Sequence, residues 1–348
     1  MLRRELERAK FSSQSKLQSD TLIKYLSEKD APKMLDEGKR KIIIGISGGV
    51  SDAYQQAEEK YRITRQVLET LQDFRMPVFV LTKSKLVLRD LDLLKEIHKQ
   101  AFANICFSIT IHDEETKAIF EPKSSATWER FDALKQIRKA GLHGGVMAYP
   151  TIPCVGDTNE NMRELAREAK RAGAEFIMFA GMTLKPGRQK DYFINVVRRR
   201  LPDAYPLIER IYSNNHVYGH PIVEFLPVNV MIEGRRICHE VGISDRSIRH
   251  MMPSEPESNV RVLNALFDLV YYRSMSLGKP RSSWQEYHDL AVKIEKGVED
   301  LQELRLKGIL GERLGINSEM VEMIMEILET GSCQALTDTQ KELEGRLQ

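Results

Sequence analysis

The stretch Lys41–Glu59 reads KIIIGISGGVSDAYQQAEE: an apolar, β-branched run that ends in two glycines and then places Ser51, Asp52, Tyr54, Gln55 and Glu58 within eight positions. A plain turn needs one glycine and one Asp or Asn. A strand that opens into a loop so rich in polar groups, with the helical pattern YRITRQVLETLQDF behind it, is the start of a βα unit whose loop is built to hold something.

The same order recurs four more times. Short apolar runs stand at Pro77–Thr82 (PVFVLT), Asn104–Thr110 (NICFSIT), Gly145–Ile152 (GVMAYPTI) and Ala174–Met182 (AEFIMFAGM), each separated from the next by an amphipathic helical pattern. Two of the helices, SATWERFDALKQIRKAG and TNENMRELAREAKRAGA, end at a glycine suited to the left-handed stop position. Near-continuous apolar strands joined by helices make a parallel sheet, either doubly wound or a barrel. In both, ligands bind where strands end and helices begin. The polar stretches SGGVSDAYQ, TKSKLVLRD, SITIHDEE and PTIPCVGD all fall there.

After Gly187 the pattern changes. A helical, aromatic-rich stretch runs to His220, IVEFLPVNVMIEG is expected to add a strand, and only helices are expected from Ser244 onward. The expected domains are 1–190 for the (β/α) core, 191–243 for a segment closing it, and 244–348 for an all-helical extension. LGINSEMVEMIMEIL has a faint helix-turn-helix look but lacks the basic face that DNA reading requires.

Composition excludes several function classes. The 348 residues are 42% apolar and 29% charged, and 52 Lys and Arg balance 50 Asp and Glu to a net charge of +2. That balance gives no electrostatic case for nucleic acid or membrane, and no apolar run is long enough to span a bilayer. The N-terminus carries no secretory pattern. The four cysteines, Cys106, Cys154, Cys238 and Cys333, form no C-x-x-C pair or disulfide framework, so a reducing cytoplasm is expected and no metal site can be written on motif grounds.

Individual loop residues carry the chemistry. Lys83 ends an apolar strand and is suited to hold an anion such as a carboxylate. Ser108, a hydroxyl in the next strand, can reach the same group. Gly48 and Gly49 allow close backbone approach, and Ser51 and Asp52 follow them; Asp52 suits an ammonium or sugar hydroxyls as well as ordinary turn chemistry. Glu121 and Arg130 suit a structural ion pair at least as well as a ligand contact. Pro150 and Pro153 stiffen the fourth loop. Cys154 beside them is a weak catalytic candidate, because no neighbouring cation in the sequence favours a thiolate.

Taken in order, SDAYQQAE, TRQVLETL, LTKSKLVLRDLDLL, FSIT, EPKSS, YPTIP and GD resemble the radical S-adenosylmethionine proteins of the spore photoproduct lyase-like group, from about Arg40 to His220. The resemblance implies a partial (β/α)6 TIM-like barrel that binds S-adenosylmethionine at its open edge. Lys83 and Ser108 would hold the methionyl carboxylate, and the backbone from Gly48 to Ser51 (with Gly49 between) the ammonium. Asp52 would hold the ribose, while the segment from Ala148 through Pro150 to Ile152 would flank the adenine. It also implies a [4Fe-4S] cluster whose reduction yields a 5′-deoxyadenosyl radical that abstracts hydrogen from a substrate the sequence does not identify. The family's C-x-x-x-C-x-x-C, expected ahead of the helix that leads to KIIIG, has no counterpart in this chain. The expectation is therefore a missing first unit, supplied by a further N-terminal segment or a partner chain, or else a cluster-free S-adenosylmethionine-binding or scaffold protein. An ordinary phosphate-handling barrel ranks last, since AGMTLKPG makes a poor anion loop. Gly49 stands where the photoproduct lyase carries a cysteine, which argues against thymine-dimer repair by that hydrogen donor.

Overall fold

In a computed structural model of the chain, the residues described are 43–47, 51–214, 216–249, 251, 255–297 and 299–345. Gly48, Gly49 and the N-terminal helical pattern LRRELERAKF lie outside them.

Five strands, β1 (Ile44–Ile46), β2 (Val78–Thr82), β3 (Ala103–Ser108), β4 (His143–Thr151) and β5 (Ile177–Gly181), form one parallel sheet in the order of the sequence. Each apolar run read from the sequence thus contains or overlaps an observed strand. Between them lie α1 (Ala57–Tyr61), α2 (Ile63–Asp73), α3 (Leu91–Gln100), α4 (Glu114–Phe120), α5 (Thr127–Lys139) and α6 (Asn159–Arg171). Gly141 and Gly173, just beyond α5 and α6, have φ of +80° and +78°, the left-handed stop that favours glycine.

Strand alternation sends the two residue sets of the sheet into different surroundings. Val78, Val80, Ile105, Phe107, Val146, Ala148, Ile177 and Phe179 pack with Leu68 and Leu71 of α2, Leu94 and Ile97 of α3, Leu134 and Ile137 of α5, and Leu165 and Ala166 of α6 in one core. The opposite set, Phe79, Leu81, Cys106, Met147, Tyr149 and Met178, meets Phe176 and Ile248 instead. The longer crossover helices α2, α3, α5 and α6 therefore cover the same face. A doubly wound sheet reverses its strand order and carries helices on both faces; the described strands do neither. Beyond β5, Ser244 continues the progression with a parallel bridge to Phe176.

The expected strand in IVEFLPVNVMIEG is not formed. Val223–Phe225 is a 3-10 turn, and α9 (Val230–Val241) follows. Pro227 removes a ladder donor, and the Asn229 side chain accepts from the amides of Met231 and Ile232, both at 3.2 Å, which starts a helix. That helix returns to β5, so close that a Cβ on Gly234 would fall 2.7 Å from Phe179. Upstream, α7 (Arg188–Arg200) and α8 (Tyr205–Ile211) bury Val197, Ile208 and Ile211 against Ile111, Ile152 and Met182 at the strands' carboxyl ends.

The C-terminal part is helical, as expected: α10 (Glu257–Tyr271) runs into a π turn (Tyr272–Ser276), followed by α11 (Gln285–Lys296), α12 (Leu301–Leu306), α13 (Leu310–Leu314), α14 (Ser318–Thr330) and α15 (Gln334–Gly345). These helices share a separate core built on Leu263, Leu266, Leu290, Ile294, Ile324 and Ile327. The faint helix-turn-helix, α13 and α14, buries Leu310, Ile324 and Leu328 in it. Polar contacts join the two parts: Arg246 donates to Asp268 at 3.0 Å and lies 3.6 Å over the Tyr271 ring, and Tyr272 donates to Asp245 at 2.9 Å. No described helix is long and apolar enough to cross a membrane.

Candidate functional site

Three polar residues of the opening motif, Asp52, Tyr54 and Glu58, turn inward, while Ser51 and Gln55 stay exposed. One carboxylate oxygen of Asp52 accepts from the Tyr54 amide at 2.8 Å and the Thr82 hydroxyl at 2.6 Å; the other accepts from the Lys83 amide at 2.6 Å. The Thr64 hydroxyl holds the Ala53 carbonyl at 2.6 Å. Glu58 is buried, accepts from the Thr64 amide at 3.0 Å and pairs with Arg89 at 2.8 Å. Arg89 in turn grips Asp90 through Nε and Nη2, and Arg65 reaches the same carboxylate at 3.0 Å. The motifs SDAYQQAE and LVLRD are thus the two halves of one clamp, which fixes the loop after β1 to the end of β2. Asp52, expected on a sugar, has its carboxylate engaged by three donors of its own chain. Ser51 beside it is exposed.

Lys83 stands one residue beyond Thr82, which is level with Phe107, so Lys83 and Ser108 are neighbours across the β2–β3 register. Alternation sets both on the face away from the helices. The Lys83 ammonium pairs with Glu121, and Arg130 bonds the same carboxylate at 2.7 Å. Arg130 is 1% exposed and also donates to the carbonyls of Ser108 at 2.7 Å and Ser125 at 2.9 Å. Burial alone would raise the Glu121 pKa, but the Arg130 guanidinium and the Lys83 ammonium hold it below the ordinary value. Two cations thus share the Glu121 carboxylate, and the Asp52 carboxylate lies on the Lys83 amide. The Glu121–Arg130 pair is the structural anchor that the sequence allowed for, and it places Lys83. The Ser108 hydroxyl donates to the Tyr149 carbonyl at 3.1 Å and keeps its acceptor lone pairs.

Ala148 and Pro150 do not share one environment. The Ala148 side chain is 1% exposed within the helix-facing core, whereas Pro150, after a cis peptide bond, is exposed. Between them Tyr149 lies on the other face. With the half-buried Phe79, Leu81 and Met178, Tyr149 makes an apolar floor that has Lys83 at its rim.

Cys154 has a left-handed backbone, φ +62°, and packs with the apolar cluster of α7 and α8. Burial first, and the nearby Asp157 charge second, raise its thiol pKa, so it is no thiolate. Burial likewise raises the thiols of Cys106, Cys238 and Cys333, which sit in three separate cores. Among the described residues no group of three or more His, Cys, Asp and Glu is arranged to hold a metal ion. A [4Fe-4S] cluster does not fit these donors.

The burial of Asp157, the acid of the GD stretch, emerges only from the structure. The residue is 7% exposed, its pKa is pushed up to about 6 by burial, and it borders a cleft of about 290 Å³. Its sequence signal was an acid one residue before a helix cap, which cannot be told from ordinary helix-start chemistry.

The chain is similar to several curated proteins, all described only as uncharacterized. One from Methanocaldococcus jannaschii is 32% identical over 161 residues, 46% of this chain and 57% of its own. One from Mycobacterium tuberculosis is 28% identical over 165 residues, 47% and 48% of the two chains. One from Acidianus two-tailed virus is 27% identical over 135 residues, 38% and 44%. The chain spans about half the length of the curated relatives it matches. No family model matches it, and no solved structure does.

Proposed function

We propose that this chain binds S-adenosylmethionine at the carboxyl edge of its sheet, on the arc of an incomplete (β/α)6 barrel of radical S-adenosylmethionine type. The consecutive strand order with helices on one face supports the arc, since right-handed crossovers that always step the same way curl a sheet around its uncovered side. The observation that carries the ligand is the placement of Lys83 and Ser108 side by side at the ends of adjacent strands, on the face away from the helices. A methionyl carboxylate suits that corner. The floor of Leu81, Tyr149 and Met178 suits the adenosyl group. Ser51 and the backbone before it are the proposed seat of the ammonium, and Asp52 acts as a positioning residue that holds this loop to β2.

The dispersal of the four cysteines favours a second reading: an S-adenosylmethionine-binding protein without radical chemistry of its own. In that reading the chain's own residues bind and orient the ligand, and no cluster takes part. Four free thiols suit a reducing cytoplasm.

Calorimetric titration of S-adenosylmethionine into wild type and Lys83→Ala tests the assignment. Loss of a charge-assisted bond to a carboxylate should weaken binding at least about tenfold, or roughly 1.4 kcal/mol. Equal affinity would remove Lys83 from the site. No heat from either protein would remove the ligand.

A further inference from the structure

A cleft of about 510 Å³ lies where the two cores meet, between residues 244–249 and one face of α10. That volume takes a small ligand. Phe267 and Tyr271 of α10, with Ile248 and Met275, give it aromatic and apolar walls, and Arg246 and Asp268 are a charged pair within it. Met275 comes from the π turn that ends α10, a helix irregularity that concentrates at functional sites. The cleft begins at Ser244, which bridges to Phe176 ahead of β5, so it opens away from the carboxyl edge that carries Lys83 and Ser108.

Arg246 is held in one orientation. Its Nε donates to Asp268 at 3.0 Å, and its guanidinium carbon lies 3.6 Å from the centroid of the Tyr271 ring. The Arg246 and Asp268 side chains nevertheless remain 19% and 35% exposed, so a ligand can reach both. No described acceptor takes Nη1 or Nη2 of Arg246, no described donor takes the second oxygen of Asp268, and none of these three atoms is shut off from solvent. The pair therefore presents spare N–H groups beside a spare carboxylate oxygen.

Charge narrows the ligand class. Arg235 pairs with Asp245 at 3.3 Å, and Arg249 is held by Glu255 at 2.9 Å and Glu295 at 3.2 Å. With Arg246 and Asp268 these make three cations against four acids, which leaves no positive charge for a phosphate or carboxylate. A cationic ligand would meet Arg246. The cleft thus suits a neutral, flat molecule with a hydrogen-bond acceptor and a donor side by side. A ring lactam has that edge: its carbonyl accepts from Arg246 while the adjacent N–H donates to Asp268. A 6-oxopurine adds N7 as a second acceptor for the guanidinium fork, and its flat face suits an aromatic wall. A 6-aminopurine presents the reverse order, a donor towards the guanidinium and a lone pair towards the carboxylate, so an adenosyl group does not suit this cleft.

We propose that this cleft binds a 6-oxopurine nucleoside, with O6 and N7 on the Arg246 fork, N1–H on Asp268 and the purine ring against Phe267. The inference does not rest on the S-adenosylmethionine reading, which is tested through Lys83 at the other edge of the sheet.

Inosine is the probe, titrated into the full chain at pH 7.5 with binding followed by saturation-transfer NMR. The control is 1-methylinosine, which carries a methyl group in place of the N1 proton. Saturable binding of inosine is expected, with 1-methylinosine at least about tenfold weaker because it leaves the carboxylate without its donor. Saturating S-adenosylmethionine should leave the affinity for inosine unchanged. Arg246→Lys keeps the charge but loses the planar fork, and should weaken inosine at least about tenfold. The methyl comparison and the competition use the wild type and do not depend on how the variant folds. No saturable binding of inosine, equal binding of 1-methylinosine, displacement by S-adenosylmethionine, or full affinity in a folded Arg246→Lys protein would overturn the assignment.

Discussion

At the scale of single residues, burial decides what each polar group in the loops can do. Asp52 and Asp157 are both loop acids near the carboxyl edge of the sheet, yet the first is met by three donors and the second keeps an oxygen bare. The consequence for stability can be measured. The folded-state pKa of Asp157, about 6, lies above its ordinary 3.8, so the folded protein holds this proton more tightly than the unfolded chain. The destabilisation from ionising it is absent below pH 3.8 and complete once pH rises past 6. Its upper bound is about 3 kcal/mol, since each tenfold difference in proton affinity is worth about 1.4 kcal/mol. In urea melts, Asp157→Asn should therefore gain stability on the wild type as pH rises from 4 to 7. Parallel pH profiles would mean that water or a rearranged loop already solvates the carboxylate.

Pairs of elements show why the SDAYQQAE and LVLRD motifs belong together. Asp90 is 0% exposed and receives both Arg89 and Arg65, while Arg89 also holds Glu58. A carboxylate with both arginines on it ties the loop after β1, the turn after β2 and the start of α2 into one unit. Asp90→Asn would take the buried carboxylate from both guanidinium groups, which keep Glu58 (Arg89) and Asp92 (Arg65), at a cost of about 2 kcal/mol in lost charge-assisted bonds. The exposed Lys99–Glu96 pair is a built-in contrast: Lys99→Ala should cost no more than about 0.5 kcal/mol. Urea midpoints read both. Comparable losses would show that the clamp is solvated in solution. The clamp also explains why the motif suggested a cofactor wall. From sequence alone, a cluster of Ser, Asp, Tyr and Glu beside glycines looks the same whether the acids face a ligand or distant donors of their own chain. Asp52 is held by Thr82 and the Lys83 amide, and Glu58 by Arg89, all about 30 residues away and beyond the reach of local pattern.

Over the whole molecule, two cores meet across a polar junction. The sheet and its one-sided helices form the first, α10 to α15 the second, and the segment through Asp245, Arg246 and Ile248 touches both. The four thiols lie in four different apolar clusters. Anaerobic reconstitution with iron and sulfide should accordingly leave this chain without the absorption of a [4Fe-4S] cluster. Stable cluster absorption on the isolated chain would overturn the cluster-free reading and restore radical chemistry to it.

The apolar runs by themselves determined the five strands, and the three- and four-residue apolar spacing determined the helices between them and after Ser244. These are local properties, set by period and by the glycines that end α5 and α6. Pattern was weakest where Pro227 and Asn229 turned an apolar run from strand into helix, because capping outweighed β propensity there. Lys83 and Ser108 were legible as neighbours because parallel strands of known order bring successive strand ends together. Only the tertiary structure decided that the strand order never reverses, that the helices cover one face, that Asp52 is bound within its own chain, and that Asp157 is buried with a free oxygen. Each of these depends on which distant residues share a surface and on how much water is excluded between them, and neither is written in the spacing along a chain.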